Sequence, residues 1–225
     1  MRRVVIPELL DTDSGTPAEV ATALSDLRHI NQWFGGITPT ESMIGRAAQK
    51  LGINSLSLLE VAAGAGYVPQ AASTRLLKSG VHLQVTLLDR AHSHLKNSTG
   101  NGTLAVAGDA LALPVADGSF DLVSCCLFAH HLEPREVVQF VNDGLRACRA
   151  AVIINDLVRD PIHLALVYVS LPLYRSRFTH HDAPASVRRA YTIGEMHEML
   201  RQTKAARVEI ERYPFYRMGV IAWKK

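Results

Sequence analysis

The sequence lacks a dominant charge of either sign. Its 225 residues carry 24 Lys and Arg against 21 Asp and Glu, which gives a formal net charge of +3. Proteins that bind nucleic acid usually show a stronger basic excess that is clustered in one stripe. We therefore expect no nucleic-acid partner, and the composition, with 48% hydrophobic and 20% charged residues, is typical of a folded globular chain.

Cysteine is scarce, and long apolar runs are absent. Cys125, Cys126 and Cys148 are odd in number and lack metal-ligand spacing, which predicts free thiols and no metal site. The longest apolar stretch, residues 162–173, falls short of the roughly 18 residues that suggest a membrane span. No continuous apolar leader segment opens the chain. These absences predict a cytoplasmic protein without a membrane span.

Apolar segments alternate with helical segments through most of the chain. Helix starts at Thr16-Pro17 and Thr38-Pro39 precede the first strand. Short apolar runs that end in glycine or an acid are typical of parallel strands buried on both faces. Such runs begin at Leu56 and continue at 82–88, 103–107, 120–127, 151–155, 208–213 and 215–223. The alternation predicts an α/β fold with a doubly wound, mostly parallel sheet that binds ligands at the carboxyl ends of its strands.

The first predicted strand runs into a turn of small residues. An acid, Glu60, stands at the strand end, and Ala62, Gly64 and Gly66 lead to Pro69, where a helix begins. Small residues let the backbone approach a ligand, and the N–H groups at a helix N-terminus are free to bind it. A dinucleotide-binding turn, or glycines that serve backbone geometry alone, are the alternatives.

Two further acids follow later strands. Asp89, with Arg90 beside it, closes the second strand at the position from which a carboxylate reaches ribose hydroxyls. Asp109 and Ala110 follow the third strand, where a carboxylate can meet the amino group of an adenine. Either acid alone is more often a helix cap, but the two together favour a nucleoside-binding cleft.

These successive motifs resemble those of class I S-adenosylmethionine-dependent methyltransferases. The resemblance covers residues 55–156 and rests on Glu60 to Gly66, Asp89, Gly108 to Pro114 and Asp117 to Val123. It implies a seven-stranded Rossmann-like sheet with an antiparallel last strand. One position departs from the family, because Ala62 stands where glycine is common.

The resemblance also implies S-adenosylmethionine as the cofactor. In the family pattern Glu60, Gly64 and Gly66 hold the methionine part, with Ala62 in the same turn. Asp89, next to Arg90, holds the ribose, and Asp109 binds the adenine with Ala110 beside the base.

The chain divides into four predicted parts. These are an N-terminal helical cap (1–54), the cofactor-binding core (55–156), a helical insertion or acceptor lid (157–191), and a C-terminal helix with the final strands (192–225). Three segments, 26–36, 156–159 and 181–191, are similar to a bacterial subgroup associated with polyketide or other natural-product pathways. This closer resemblance implies a small-molecule acceptor of phenolic, carboxylic or polyketide-like character, methylated on oxygen.

Methyl transfer is an in-line displacement in which the protein often removes the acceptor's proton. His130 and His131 follow the fourth strand and are candidate bases, although a histidine that caps the helix near Pro134 is the alternative. His181, beside Asp182 in the insertion, is a second candidate. A turn with exposed polar groups explains that pair as well.

The insertion also supplies candidate acceptor contacts. Arg188 or Arg189 would suit a carboxylate on the acceptor, although paired arginines are most often a solvated helix face. Tyr191 follows them, and Tyr168 lies in the apolar run 162–173, which is a candidate wall of the acceptor pocket. Core packing or a homodimer contact is the alternative for this run.

Other functions compatible with a nucleoside cleft remain as alternatives. The same fold methylates carbon or nitrogen, and a non-catalytic subunit would keep the cofactor site alone. A nicotinamide-dependent oxidoreductase also pairs a glycine turn with an acid after the second strand. Its fingerprint requires a small residue where Pro69 stands and has no use for Glu60 or Asp109.

Overall fold

A seven-stranded sheet forms the centre of the computed structural model, which describes residues 1–12, 15–90, 95 and 103–225. The spatial order of its strands is β3-β2-β1-β4-β5-β7-β6. Strands β1 to β5 pair in parallel, and β7 runs antiparallel to both β5 and β6. The predicted fold class is confirmed. The strands are β1 Ser55–Val61, β2 His82–Asp89, β3 Leu104–Ala107, β4 Phe120–Cys126, β5 Cys148–Leu157, β6 Arg207–Tyr213 and β7 Arg217–Trp223.

Helices flank this sheet, and the first begins at the predicted start, Thr16-Pro17, where the structure shows a capping box. The Thr16 side chain accepts from the backbone N–H of Glu19, whose carboxylate accepts from the N–H of Thr16. Within the described residues, no helix combines the length and apolar character needed to cross a membrane. The helices are α1 Pro17–Trp33, α2 Ile37–Leu51, α3 Tyr67–Lys78, α4 Pro134–Ala147, α5 Pro161–Ser170, α6 Arg177–Arg189 and α7 Ile193–Leu200, with short 3₁₀ turns at Leu10–Thr12, Ala129–His131 and Leu171–Leu173.

The core occupies both faces of the sheet, as expected of parallel strands that read as continuous apolar runs. Successive residues of β1, such as Leu58 and Leu59, point to opposite faces of the sheet and belong to different buried clusters. Met43 of α2 covers one face, and Phe140 of α4 and Met196 of α7 cover the other. Since both faces are covered, ligands have access mainly to the strand ends.

Several element ends differ from the predicted ones. Strand β5 spans residues 148–157 rather than 151–155, because β7 pairs with it from Ala151 to Leu157. Strand β7 starts at Arg217 rather than at Phe215, because Phe215 and Tyr216 form the hairpin turn with positive φ angles of 61° and 55°.

The N-terminal residues pack against the predicted insertion. The backbone N–H of Ser176 donates to Asp26 of α1 at 2.8 Å. The N–H of Leu9 donates to Asp182 of α6, also at 2.8 Å. These buried carboxylates attach both N-terminal segments to the insertion, so that all three line one cavity.

Candidate functional site

One cavity of about 1720 Å³ opens at the carboxyl ends of β1, β2 and β4. Ligand pockets usually measure about 300–1,000 Å³, so this cavity has room for a cofactor and an acceptor together. Strand ends and the glycine turn form one part of its wall. Residues from α1, α5, α6 and the β6–β7 turn form another part.

Glu60 lies at the end of β1, next to its last residue, and is buried, with only 2% of its surface exposed. The Ser124 hydroxyl of β4 donates to it. Burial raises the pKa of Glu60 to about 7, against the opposing effect of that hydrogen bond, because a low-dielectric environment disfavours the charged form. A cationic group of a ligand bound here would restore the ionised carboxylate.

The glycine turn that follows uses left-handed backbone at three positions. Ala62, Gly64 and Gly66 have φ angles of 54°, 52° and 68°. A Cβ built on Gly64 meets no atom within 4 Å, so its backbone faces open space in the cavity. At Ala62 this conformation strains a residue with a side chain, which gives a physical reason for glycine at that position.

Gly66 has a packing role beside the predicted one. A Cβ on Gly66 would lie 2.5 Å from Cδ1 of Leu87, and Gly66 is not among the residues that line the cavity. Glycine here lets the start of α3 pack against β2, and the predicted contact of Gly66 with the cofactor stays a prediction.

The two acids predicted from later strands reach the same cavity. Asp89, Arg90, Asp109 and Ala110 all line it. Asp89 accepts a hydrogen bond of 2.8 Å from the N–H of Gly64, which ties the end of β2 to the glycine turn. The cavity thus combines open backbone at the turn, two carboxyl groups at the ends of neighbouring strands, and the buried acid Glu60. This combination fits a nucleoside cofactor with a cationic tail.

His130 also lines the cavity, 2% exposed, just after β4. Its Nδ1 is 2.6 Å from Oδ1 of Asp156, and its backbone N–H donates to Oδ2 of the same residue at 2.9 Å. Its Nε2 lies 3.5 Å from Oε1 of Glu8. Burial lowers the pKa of His130, but the charges and hydrogen bonds of Asp156 and Glu8 outweigh it and raise the pKa to about 10.

His131 stands beside it, and the two ring centroids are 4.3 Å apart. Its Nδ1 is 2.8 Å from Asp11, and its Nε2 is 3.7 Å from Oε1 of Glu8. Neither histidine caps α4, since Glu133 and Glu136 form the capping box there. Two imidazoles and the carboxylates around them thus form one polar cluster in the cavity wall.

The structure places His181 outside this cluster. Its side chain is 42% exposed, lies 2.8 Å from Oδ1 of Asp182 and does not line the cavity. Asp182 does line it, but its carboxylate accepts from the backbone N–H groups of Leu9 and Leu10. Asp182 thus holds the N-terminal segment, and the structure does not bring His181 together with His130 and His131.

Of the four predicted acceptor contacts, only Arg189 lines the cavity. Arg188 donates to the Tyr168 hydroxyl at 3.1 Å, and both lie outside it. The side chain of Tyr191 is buried, and its hydroxyl donates to the carbonyl oxygen of Leu132 at 2.6 Å. The structure therefore brings Arg189 alone of these four residues to the cavity wall, and the roles of the other three in acceptor binding stay predictions.

The acceptor side of the cavity has aromatic walls that the sequence did not indicate as a set. His163 of α5 stacks on Tyr216, with ring centroids 4.9 Å apart and planes 9° from parallel. Phe34 meets Phe215 edge to face at 5.6 Å. Each pair joins distant parts of the chain, so no local pattern reports it.

The apolar run 162–173 forms α5 and the following 3₁₀ turn. Leu166, Val167 and Val169 line the cavity, and their place in an acceptor wall stays a prediction. Cys126, at the end of β4, also lines it, and burial raises the pKa of its thiol to about 12. This thiol is therefore not a nucleophile near neutral pH.

Residues 59–151 match the model of a family described as a methyltransferase domain. The matched segment contains the glycine turn and both downstream acids. No curated protein matches the chain.

Several solved structures share the fold at low sequence identity. An S-adenosylmethionine-dependent methyltransferase from Aquifex aeolicus is 16% identical, with a TM-score of 0.63 over 94% of this chain and 100% of its own. The plantazolicin methyltransferase BamL, in complex with a triazolic desmethylPZN analog and SAH, is 14% identical, with a TM-score of 0.67 over 90% and 91%. The CurJ carbon methyltransferase is 12% identical, with a TM-score of 0.65 over 96% and 62%. At such identities these likenesses establish the fold alone.

Proposed function

We propose that this chain, which its methyltransferase domain marks as an S-adenosylmethionine-dependent methyltransferase, methylates an oxygen atom of a small phenolic, carboxylic or polyketide-like acceptor. The observation that carries the proposal is the cluster of Glu8, His130 and His131 at the end of β4. It lies in the same cavity as the cofactor residues, which has the volume for both reactants.

The cofactor supplies an electrophilic methyl group on a sulfonium. The residues of this chain would hold its three parts separately. Glu60 faces the cationic methionine end, the turn at Gly64 gives close backbone approach, and Asp89 beside Arg90 faces the ribose. Asp109 and Ala110 then meet the adenine. This division follows the order of the strand ends β1, β2 and β3 along the sheet.

The polar cluster would act on the acceptor. Carboxylates hold the Nδ1 atoms of His130 and His131, so that both Nε2 atoms face Glu8. An acceptor hydroxyl that binds there would be aligned for in-line attack on the methyl group. As the O–CH₃ bond forms and the sulfonium C–S bond breaks, Nε2 of His131 or the Glu8 carboxylate would accept the hydroxyl proton, because the raised pKa of His130 keeps that imidazole protonated near neutral pH.

The rest of the wall suits an aromatic or polyketide-like acceptor. The stacked pair of His163 and Tyr216 and the edge-to-face pair of Phe34 and Phe215 present flat apolar surfaces. Arg189 also lines the cavity, and its guanidinium would pair with a carboxylate on the acceptor.

The test is a product scan with S-adenosylmethionine that carries a labelled methyl group. We expect transfer to an oxygen of one or more phenols, resorcinols or aromatic acids. Asp156→Asn should lower turnover, because it loosens His130, whereas S-adenosylhomocysteine binding should not change. His181→Ala is the matched control, since its imidazole also contacts a carboxylate but lies outside the cavity.

Three other results, from the scan or from cofactor titration, would each contradict one part of the proposal. A methyl group on carbon or nitrogen would contradict the oxygen assignment. Persistent inactivity with intact cofactor binding would favour a non-catalytic subunit. Tight binding of NAD without binding of S-adenosylhomocysteine would contradict the methyltransferase itself.

A further inference from the structure

We propose that Glu8, His130 and His131 form a binding site for a divalent transition-metal ion at the acceptor end of the cavity. Its part in catalysis rests on the function proposed above, but metal binding is measurable without it. The site unites the N-terminal segment with the end of β4.

The three side chains meet the distance requirement. One ligand atom of each lies within 4.8 Å of the other two. Oε1 of Glu8 is 3.5 Å from Nε2 of His130 and 3.7 Å from Nε2 of His131. Ligands at about 2.0–2.1 Å from a tetrahedral zinc ion lie roughly 3.4 Å apart, so only small shifts would close the three around an ion.

Both imidazoles are held in the orientation that metal ligands adopt. Asp156 lies 2.6 Å from Nδ1 of His130, and Asp11 lies 2.8 Å from Nδ1 of His131. A carboxylate on Nδ1 fixes the ring and leaves Nε2 free for a metal, which is the usual arrangement around metal-binding histidines. Core packing alone does not require two carboxylate–imidazole pairs that both direct Nε2 toward Glu8.

An unpartnered buried atom points to a missing ligand. Nε2 of His130 is buried, its ring is 2% exposed, and among the described residues its contact with Oε1 of Glu8, at 3.5 Å, is too poor in geometry to count as a hydrogen bond. It faces Glu8, which is itself only 8% exposed. Buried polar atoms are nearly always satisfied in native proteins, and a cation between these groups would satisfy this one.

The donor set indicates the class of ion. Two imidazole nitrogens and one carboxylate oxygen suit zinc or another first-row divalent ion better than magnesium or calcium, which prefer oxygen ligands. Three protein ligands leave at least one position open, and all three residues line the cavity. An acceptor hydroxyl that occupied the open position would bind with a lowered pKa.

The test is calorimetric titration of the chelator-treated protein with Zn²⁺ and Mg²⁺, without cofactor, followed by metal analysis of the dialysed protein. We expect one Zn²⁺ per chain and no comparable Mg²⁺ binding. Glu8→Gln and His131→Ala should each weaken Zn²⁺ binding at least tenfold, and Asp11→Asn should weaken it about tenfold through His131. Co²⁺ should give absorption bands that the first two variants lose.

His181→Ala is the control, because it removes an imidazole of similar local chemistry outside the cavity, and it should bind Zn²⁺ like the wild type. Unchanged binding of S-adenosylhomocysteine would show that the variants are folded. Equal Zn²⁺ affinity in the wild type and in Glu8→Gln and His131→Ala would overturn the inference. Methyl transfer by a protein that binds no metal would overturn the metal site and leave the proposed function intact. Metal binding without any methyl transfer would support the metal site and contradict the proposed function.

Discussion

Ala62 holds a left-handed backbone conformation in the middle of the cofactor turn, with φ of 54°. This conformation costs an L-residue roughly 1–2 kcal/mol, whereas glycine adopts it freely. Ala62→Gly removes this strain but makes the unfolded chain more flexible, which offsets part of the gain. We expect the free energy of unfolding to rise by up to about 1 kcal/mol. Denaturant unfolding of the purified protein measures the change.

Ala65→Gly is the control for that comparison. Ala65 lies in the same turn without a positive φ, so glycine there brings no relief of strain and should lower stability slightly. Equal losses of stability in the two variants would show that Ala62 is not strained.

Glu60 makes stability depend on pH. Its folded pKa of about 7 lies above the ordinary value of 4.5, so the folded chain binds more protons than the unfolded chain between these values. Stability from this group is therefore greatest below about pH 4.5 and falls as pH rises to about 7, by up to about 3 kcal/mol. Glu60→Gln should flatten this fall, as unfolding at several pH values would show.

The matched control is Glu198→Gln, at an acid that is 69% exposed. Its pH profile should follow that of the wild type. If the Glu60→Gln profile also followed the wild type, the raised pKa of Glu60 would be contradicted. A bound ligand with a cationic group should likewise reduce the pH dependence, because it favours the ionised carboxylate.

At the scale of elements, the N-terminal segment 1–12 closes the acceptor side by lying against α6. The N–H of Leu9 donates to Asp182, and Ser186 donates to Glu8 at 2.7 Å. We expect Asp182→Ala to release the segment and raise the acceptor KM several-fold. Affinity for S-adenosylhomocysteine should not change, since strand ends form that part of the cavity. Steady-state kinetics and calorimetry measure the two effects.

His181→Ala again provides the comparison, because it leaves the Asp182 carboxylate in place. An equal rise of the acceptor KM in both variants, or a loss of cofactor affinity in Asp182→Ala, would contradict the proposed role of the segment.

The elements also show why the sequence could predict which residues at the strand ends meet in one cavity. Glu60, Gly64 and Asp89 each occur at the carboxyl end of a strand, and local apolar runs reveal where those strands end. Parallel strands then bring these ends to one edge of the sheet. What local pattern does not show is packing at the turn, and for that reason the role of Gly66 against Leu87 was missed.

At the scale of the whole molecule, the acceptor part depends on contacts between distant segments. Glu8 and Asp11 reach the histidines across more than a hundred residues, and the early segment around them reads only as a run of turn formers. Adjacent residues were a poor guide, since Asp182 binds the N-terminal backbone rather than serving His181 in the cavity. These side chains are positioned by contacts between distant segments, which the hydrophobic periodicity of the sequence does not reveal.

The most direct test of the central claim is calorimetric titration with S-adenosylhomocysteine. The wild type should bind one molecule per chain and should not bind NAD. Asp109→Ala should weaken binding about tenfold, the effect of losing one hydrogen bond of roughly 1.4 kcal/mol, whereas Asp117→Ala, at an acid with an 80% exposed side chain, should bind normally. Binding of NAD in place of S-adenosylhomocysteine, or unchanged affinity in Asp109→Ala, would contradict the cofactor site described for this fold.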